Sequence, residues 1–286
     1  MKRRTFIGTS TAATVGMVTA NAMPRKSPEA SSGWKGNINH SVCRWCYNGI
    51  PLEEFLQNLK SLGMNSIDLV GPEDWPLMKK YGIHGSMCWG AGGITDGWND
   101  LQFRDTLIES YTDMIPKVAE AGYTNLICFS GNSRGISRST GMDNCVEGLK
   151  QVLPLAEKHG VVLQMELLNS KVDHHDYMCD HVEWGVELCQ RLGSDNFKLL
   201  YDIYHMQIME GDVIRTIRDY HEHFGHYHTG GNPGRHEIDE TQELYYPAVM
   251  LAILETGFTG HVAQEFIPTW DDKIAALKQG VTICDV

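Results

Sequence analysis

Short apolar runs alternate with longer amphipathic segments along the chain from Ile38 onward. In segment 52–62 the apolar residues recur at helical spacing, and Gly63 follows as a helix end. The run 161–167 is instead nearly continuous in apolar residues, which is typical of a strand buried on both faces of a parallel sheet. This alternation predicts strand–helix units and an α/β fold.

Eight such units can be placed. The predicted strands are 38–43, 66–70, 83–87, 125–129, 161–167, 197–202, 225–229 and 260–266. The helices that follow them are predicted at 52–62, 74–81, 103–121, 142–159, 176–192, 210–220, 241–256 and 270–284. Eight pairs in about 250 residues match the size of a single (β/α)8 barrel.

Four successive predicted strands end in a side chain that an apolar core does not accommodate. These side chains are Glu166, Asp202, His228 and Glu265. A lone buried carboxylate is costly unless it is paired, protonated or bound to a metal. Because all strands of a parallel barrel end on one face, we expect the four side chains to converge there as metal ligands. Three carboxylates and one imidazole favour Mg²⁺ or Mn²⁺, with Zn²⁺ or Co²⁺ as alternatives.

Two further residues are candidate substrate contacts. His205 lies just beyond the sixth strand, and Arg235 lies in the turn after the seventh. Arg235 could bind a carboxylate or an enediolate oxygen; the alternative is a solvated loop charge paired with Glu237. Three other histidines are expected at a helix end and on the surface, namely His221, His223 and His226.

The N-terminal segment 1–22 has the order of features found in twin-arginine signal peptides. Arg3 and Arg4 precede a mildly apolar stretch at 7–18, and the small residues at 20–22 fit a cleavage site. The stretch is too short and too polar to span a membrane. We therefore expect export to the periplasm, a linker at 23–37 and the barrel at 38–286; a frayed N-terminus is the alternative.

The net charge of the chain disfavours one class of binding partner. The chain of 286 residues has a formal net charge of −12, which repels a phosphate backbone and disfavours nucleic acid.

Among the eight cysteines of the chain, Cys43 and Cys46 have C-x-x-C spacing. They are either thiols at a strand end or, in an oxidising compartment, a disulfide. Homo-oligomer formation is left undecided by the sequence.

Several phrases carry a family resemblance: 41–46 (SVCRWC), 165–169 (MELLN), 201–207 (YDIYHMQ), 233–237 (PGRHE) and 264–266 (QEF). With them the chain resembles the hydroxypyruvate isomerase family, within the xylose-isomerase-like TIM barrels. The resemblance implies a divalent metal, catalytic glutamates at Glu166 and Glu265, and substrate contacts from His205 and Arg235. One position departs: hydroxypyruvate isomerases often have Gln where this chain has His228, whereas related ketose epimerases and inosose-processing barrels have His.

The function that this resemblance implies is a metal-dependent isomerase of aldose- and ketose-type hydroxy-carbonyl compounds. Glu166 and Glu265 would transfer protons through an enediolate, and the substrate would be a small sugar or a hydroxy-keto acid. A ketose 3-epimerase and a metal-dependent sugar lyase or dehydratase are alternatives on the same barrel. A sugar-binding barrel without catalysis is a further alternative, and it predicts no exchange of substrate protons with solvent.

Overall fold

The computed structural model of the protein describes residues 33–286. The predicted signal peptide at 1–22 lies outside the described residues, as does most of the predicted linker, so export stays a prediction. The last linker residues contact the end of the chain. The backbone N–H of Lys35 donates to Asp285 Oδ2 at 2.8 Å, and the Asn37 amide donates to the Val286 carbonyl at 2.9 Å.

Eight parallel strands form the centre of the fold. They are β1 Asn39–Val42, β2 Ser66–Val70, β3 His84–Cys88, β4 Asn125–Cys128, β5 Val162–Glu166, β6 Phe197–Asp202, β7 Phe224–Thr229 and β8 His261–Gln264. From β2 to β8 each strand pairs with the next one in sequence, and β1 pairs with β8. A parallel bridge between Cys43 and Asp68 joins the end of β1 to β2 and closes the ring. The predicted (β/α)8 barrel is confirmed.

Helices cover the outside of this sheet. They are α1 Leu52–Leu62, α2 Trp75–Tyr81, α3 Arg104–Ala121, α4 Arg138–His159, α5 Val182–Leu192, α6 Ile203–Met209, α7 Val213–Tyr220, α8 Tyr246–Glu255 and α9 Lys273–Cys284. In α1, Phe55, Leu56 and Leu59 are fully buried, and Gly63 ends the helix in the left-handed conformation. Within residues 33–286, none of the helices is long and apolar enough to cross a membrane.

The sequence pattern located helix ends better than helix starts. The predicted start of α4 is four residues late, because Ser137 caps the helix by accepting a hydrogen bond from the Thr140 N–H. The predicted starts of α5 and α8 are early, since irregular loops precede both helices. The short helix α6 was not predicted. It begins directly after β6, where the Asp202 side chain accepts from the His205 N–H.

Candidate active site

The four predicted strand-end residues lie together at the carboxyl end of the barrel. Glu166 and Asp202 are the last residues of β5 and β6, His228 is next to last in β7, and Glu265 directly follows β8. The Nδ1 atom of His228 lies 2.6 Å from Glu265 Oε2, 3.3 Å from Glu166 Oε1 and 4.0 Å from Asp202 Oδ2. All four side chains are buried. Parallel strands thus bring together residues that are far apart in sequence.

This group suits a divalent cation. One ligand atom from each residue lies within 4.8 Å of the others. Three buried carboxylates at such distances need positive charge to offset their repulsion. The His228 Nδ1 atom is fully buried, and no described residue forms a hydrogen bond of normal geometry with it. Oxygen ligands with one imidazole nitrogen fit Mg²⁺ or Mn²⁺, and Zn²⁺ accepts the same donors.

A fully buried carboxylate supports the histidine from inside the barrel. Asp68 Oδ2 lies 3.0 Å from His228 Nε2 and 2.6 Å from His226 Nε2. Burial disfavours the Asp68 anion, but His226 and then His228 outweigh this effect and hold the pKa of Asp68 far below its usual range. An ionised carboxylate only accepts hydrogen bonds, so Nε2 of His228 carries the proton. Nδ1 is therefore the nitrogen that faces the three carboxylates, in the orientation that a metal ligand needs. Burial lowers the pKa of His228, but its neighbours outweigh this effect and raise the pKa well above the usual range, so a metal ion would bind Nδ1 by replacing a proton there.

Asp68 was not predicted as a site residue, although the sequence contains a signal for it. Asp68 interrupts the apolar run of β2, as Glu166 interrupts that of β5. The strand is irregular at this point, because its register with β3 shifts on both sides of Asp68 and Leu69 has a positive φ of 57°. The expectation for His226 was wrong. Its strand begins at Phe224, so His226 and His228 point to the same side, and both are fully buried.

Arg235 lies against two of the carboxylates. Its Nη2 atom is 2.6 Å from Glu265 Oε2 and 3.3 Å from Asp202 Oδ2. The guanidinium group packs between two aromatic rings, with its central carbon 5.3 Å from the centroids of Trp45 and Tyr204. These contacts fix the group in a partly desolvated position, where a cation binds carboxylates more strongly than in water.

The alternative for Arg235, a solvated charge paired with Glu237, was wrong. Glu237 instead accepts hydrogen bonds from Thr269 and from the Trp270 N–H, and so ties the turn after β7 to the loop after β8. Arg235 itself has a left-handed φ of 58° and follows Gly234, whose φ is 93°. The turn thus directs Arg235 inward, although it lies in an otherwise polar loop.

The two glutamates have different surroundings. Glu265 Oε1 accepts from Trp45 Nε1 at 2.7 Å, while Arg235 contacts Oε2. Burial disfavours the Glu265 anion, but the charges of Arg235 and then His228 hold the pKa of Glu265 well below its usual range. For Glu166, burial is the largest influence and raises the pKa. Trp45 belongs to a phrase that carries the family resemblance, but its contact with Glu265 spans most of the chain and was not predicted.

His205 is fully buried at the start of α6. Its Nε2 atom lies 3.6 Å from Asp202 Oδ2, and its Nδ1 atom lies 2.6 Å from Asn169 Nδ2. Burial and then the charge of Arg235 hold the pKa of His205 well below its usual range. The imidazole is therefore neutral, and it adjoins the same carboxylate that Arg235 contacts.

Cys43 and Cys46 lie near the site as separate buried thiols, without a disulfide between them. Cys43 Sγ is 3.7 Å from His228 Nε2. Burial raises the pKa of both cysteines well above the usual thiol range. In this structure they therefore act as small apolar side chains beneath the site.

A protein-family model and several curated proteins are similar to this sequence. The sequence model of the xylose isomerase-like TIM barrel family matches residues 53–281. The chain is 32% identical over 123 residues to the 2-oxo-tetronate isomerase of Cupriavidus necator, covering 43% of this chain and 46% of that protein. It is 29% identical over 151 residues to the hydroxypyruvate isomerase of Escherichia coli, covering 51% and 57%. These alignments span about half of each curated relative.

A solved structure shows the same fold. The 3-keto-D-glucoside 4-epimerase YcjR of E. coli superposes with a TM-score of 0.72 at 18% identity, covering 86% of this chain and 98% of that one. The family match extends over most of the described barrel and includes all four converging residues. The chain belongs to the xylose isomerase-like TIM barrel family.

Proposed function

We propose that the protein is a divalent-metal-dependent isomerase of small hydroxy-carbonyl compounds. The observation that carries this proposal is the pair Glu166 and Glu265, whose carboxylate oxygens lie 3.3 and 2.6 Å from one nitrogen of His228. Two carboxylates next to one point can remove a proton from one carbon of a bound compound and return it to the adjacent carbon. The similarity to hydroxypyruvate and 2-oxo-tetronate isomerases supports the same reaction class.

The remaining residues would hold the substrate and the ion. Glu166, Asp202, His228 and Glu265 are the proposed metal ligands, and Mg²⁺ or Mn²⁺ is the proposed ion. A bound divalent ion supplies Lewis-acid stabilisation of negative charge on substrate oxygens. Arg235 adds a fixed positive charge beside Glu265 and Asp202, which would favour an enediolate over the neutral carbonyl compound. Its two aromatic neighbours would exclude water from this side.

A ketose epimerase is the second candidate. It is favoured by His228, because hydroxypyruvate isomerases often have Gln at this position and related epimerases have His. In this chain the imidazole is supported by Asp68, a partner that suits a histidine ligand. The two activities share the proton abstraction and differ in the carbon to which the proton returns.

Incorporation of deuterium from D₂O tests the proposal. The purified protein would be incubated with hydroxypyruvate, 2-oxo-tetronate, D-fructose and a 3-keto-D-glucoside, each with Mg²⁺, with Mn²⁺ or with EDTA. We expect exchange at a carbon next to a carbonyl group for at least one compound, abolished by EDTA. The position of the deuterium in the product distinguishes isomerase from epimerase.

Other outcomes contradict the proposal. Loss of water from the compound would identify a lyase or dehydratase. Metal-independent binding without exchange would identify a binding protein. Exchange that continues in EDTA, after the metal content is shown to be negligible, would contradict the metal-dependent mechanism.

A further inference from the structure

The Nε2 atom of His205 is a buried polar atom without a hydrogen bond to any described residue. The Asp202 Oδ2 atom lies 3.6 Å from it, beyond normal hydrogen-bond length. Leaving a buried polar atom unsatisfied costs free energy, and such atoms often mark the place of a ligand. With a proton, Nε2 can donate a hydrogen bond to a ligand; without one, it can only accept.

The side-chain amide of Asn169 decides this, because four contacts fix its orientation. Oδ1 accepts from the backbone N–H groups of Val172 and Asp173, at 3.0 and 2.9 Å. Nδ2 lies 2.7 Å from Asp173 Oδ2 and 2.6 Å from His205 Nδ1. Turning the amide over would place its oxygen against a carboxylate and its NH₂ group against two N–H donors. Nδ2 therefore faces His205, and it can only donate.

We infer that Asn169 is a positioning residue that fixes the tautomer of His205, with Nδ1 as acceptor and Nε2 as donor. The substrate contact of His205 is the one that the family resemblance implies, and Asn169 would make Nε2–H the group that forms it. The part concerning the substrate rests on the proposed function, whereas the position of the proton does not.

Asp173 connects the hydrogen bonds of Asn169 to the residues around the Arg235 guanidinium group. Asp173 Oδ2 accepts from both Asn169 Nδ2 and the Tyr204 hydroxyl, the latter at 2.9 Å. The ring of Tyr204 in turn packs against Arg235. One exposed carboxylate therefore orients the amide behind His205 and the ring beside Arg235. This places a neutral donor and a cationic donor next to the same group of carboxylates.

His205 and His228 present different ring nitrogens to the site. His228 directs Nε2–H into the barrel, toward Asp68, and presents Nδ1 to the carboxylates, where the proposed metal ion would bind it. His205 directs its Nδ1 lone pair away, toward Asn169, and leaves Nε2–H for the site. One imidazole can therefore bind a cation while the other binds an oxygen that gains negative charge.

The test uses the Mg²⁺-loaded full-length protein with ¹⁵N-labelled histidine. Long-range ¹H–¹⁵N spectra report which ring nitrogen is protonated, and the His205→Gln variant identifies the His205 signals. We expect Nε2 to be protonated and Nδ1 to be bare. A proton on Nδ1 of the wild-type protein overturns the inference, whether or not any compound in the panel exchanges deuterium. An inactive protein with the expected proton position would instead count against the proposed function alone.

A charge-neutral exchange of two residues tests the role of Asn169. The double variant Asn169→Asp with Asp173→Asn keeps an amide–carboxylate pair but turns a carboxylate oxygen toward His205 Nδ1. We expect the proton to move to Nδ1, and kcat for the exchanging compound of the panel to fall about 100-fold. The single variant Asp173→Asn is the matched control, because its amide oxygen can still accept from Asn169 and Tyr204 and the donor on Asn169 is kept. The proton should stay on Nε2 in this control, and kcat of the double variant is compared with kcat of the control.

The kcat value of folded protein separates this role from a structural one. A loop that is merely loosened lowers the melting temperature and leaves kcat of the folded fraction near its original value. If the double variant keeps kcat within about threefold of the Asp173→Asn control, Asn169 does not position His205 for the reaction, and the inference is overturned.

Discussion

The two halves of the barrel share one architecture and differ at their strand ends. Strands β5 to β8 end at or next to Glu166, Asp202, His228 and Glu265. Strands β2 to β4 end in the buried apolar side chains Val70, Cys88 and Cys128, and β1 is followed by the buried thiol of Cys43. The same strand–helix repeat therefore carries the four converging polar residues in one half and apolar packing in the other.

The difference shows how the candidate site is supported. The first half contributes none of the four converging residues, but it contributes side chains that contact two of them. Asp68 of β2 contacts His228, and Trp45, three residues after the end of β1, donates to Glu265. Ring closure brings these supports to the charged half. Substitutions in the two halves should consequently have different effects.

The largest effect is expected from Glu265→Gln in the charged half. Glutamine has nearly the same shape and can still accept from Trp45 Nε1, but it cannot take up a proton as a base. We expect deuterium exchange to fall by about 10²- to 10⁴-fold while the circular dichroism spectrum is unchanged. Glu53→Gln, on the outer helix α1, is the control and should exchange as the wild type does. Retained exchange in Glu265→Gln would remove this residue from the proton transfer.

A smaller but specific effect is expected from Asp68→Asn in the first half. The amide removes the charge that holds the Nε2 proton of His228, so metal affinity measured by calorimetry should fall about 10- to 100-fold. Ser41→Ala is the matched control, because Ser41 donates to the other oxygen of Asp68 at 2.8 Å. It should weaken metal binding less. Equal losses in both variants would mean that the whole interior cluster, rather than the Asp68–His228 contact, supports the site.

Cys128→Ala should change stability without changing chemistry. Cys128 is fully buried at the end of β4, and removing its sulfur leaves a small void, with a loss in the free energy of unfolding of about 1 kcal/mol. Denaturant unfolding would measure this loss, and metal affinity should remain that of the wild type. A lower metal affinity in this variant would contradict the expectation that the strand ends of the first half contribute apolar packing and not metal binding.

The smallest expected effect is the reaction of the native thiols with iodoacetamide at pH 8. Burial raises the pKa of Cys43, Cys46 and Cys128 well above the usual range, so these thiols stay protonated at this pH and unreactive. Mass spectrometry should detect almost no labelling of the folded protein and eight labels after unfolding. Fewer than eight labels in unfolded, unreduced protein would reveal a disulfide, for which Cys43 and Cys46 are the nearest pair in sequence.

The sequence predicted those features that depend on local pattern. Continuous apolar runs predicted the strands. A carboxylate or histidine at the end of a run predicted each of the four converging residues. Glycines at helix ends gave the ends of α1 and α3. The short helix α6 was missed because its start depends on a side-chain cap from Asp202, which also reads as the end of a strand.

The supporting contacts depend on distant partners and could not be read from local pattern. His226 was expected at the surface, and this expectation failed. The pairing of β7 in the closed ring, rather than the local sequence, directs His226 inward toward Asp68. The partners of Arg235 come from three separate parts of the chain: Trp45 after β1, Tyr204 in α6 and Glu265 after β8. Asp68 is different. It lies in the middle of an apolar run rather than at its end, but the cost of a lone buried carboxylate, applied to every position of the run, would have identified it.

Asp202 has a consequence for how this site can change during evolution. One of its oxygens faces the other three converging residues, while the other accepts from the His205 N–H and caps α6. Residues selected for activity commonly reduce stability, so that replacing them makes a protein more robust. At position 202 an apolar replacement would remove both the proposed ligand and the cap of the helix that carries His205, whereas Asn would keep the cap. A lineage that abandoned the activity should therefore keep a capping side chain, Asp or Asn, at position 202 after the reaction is lost.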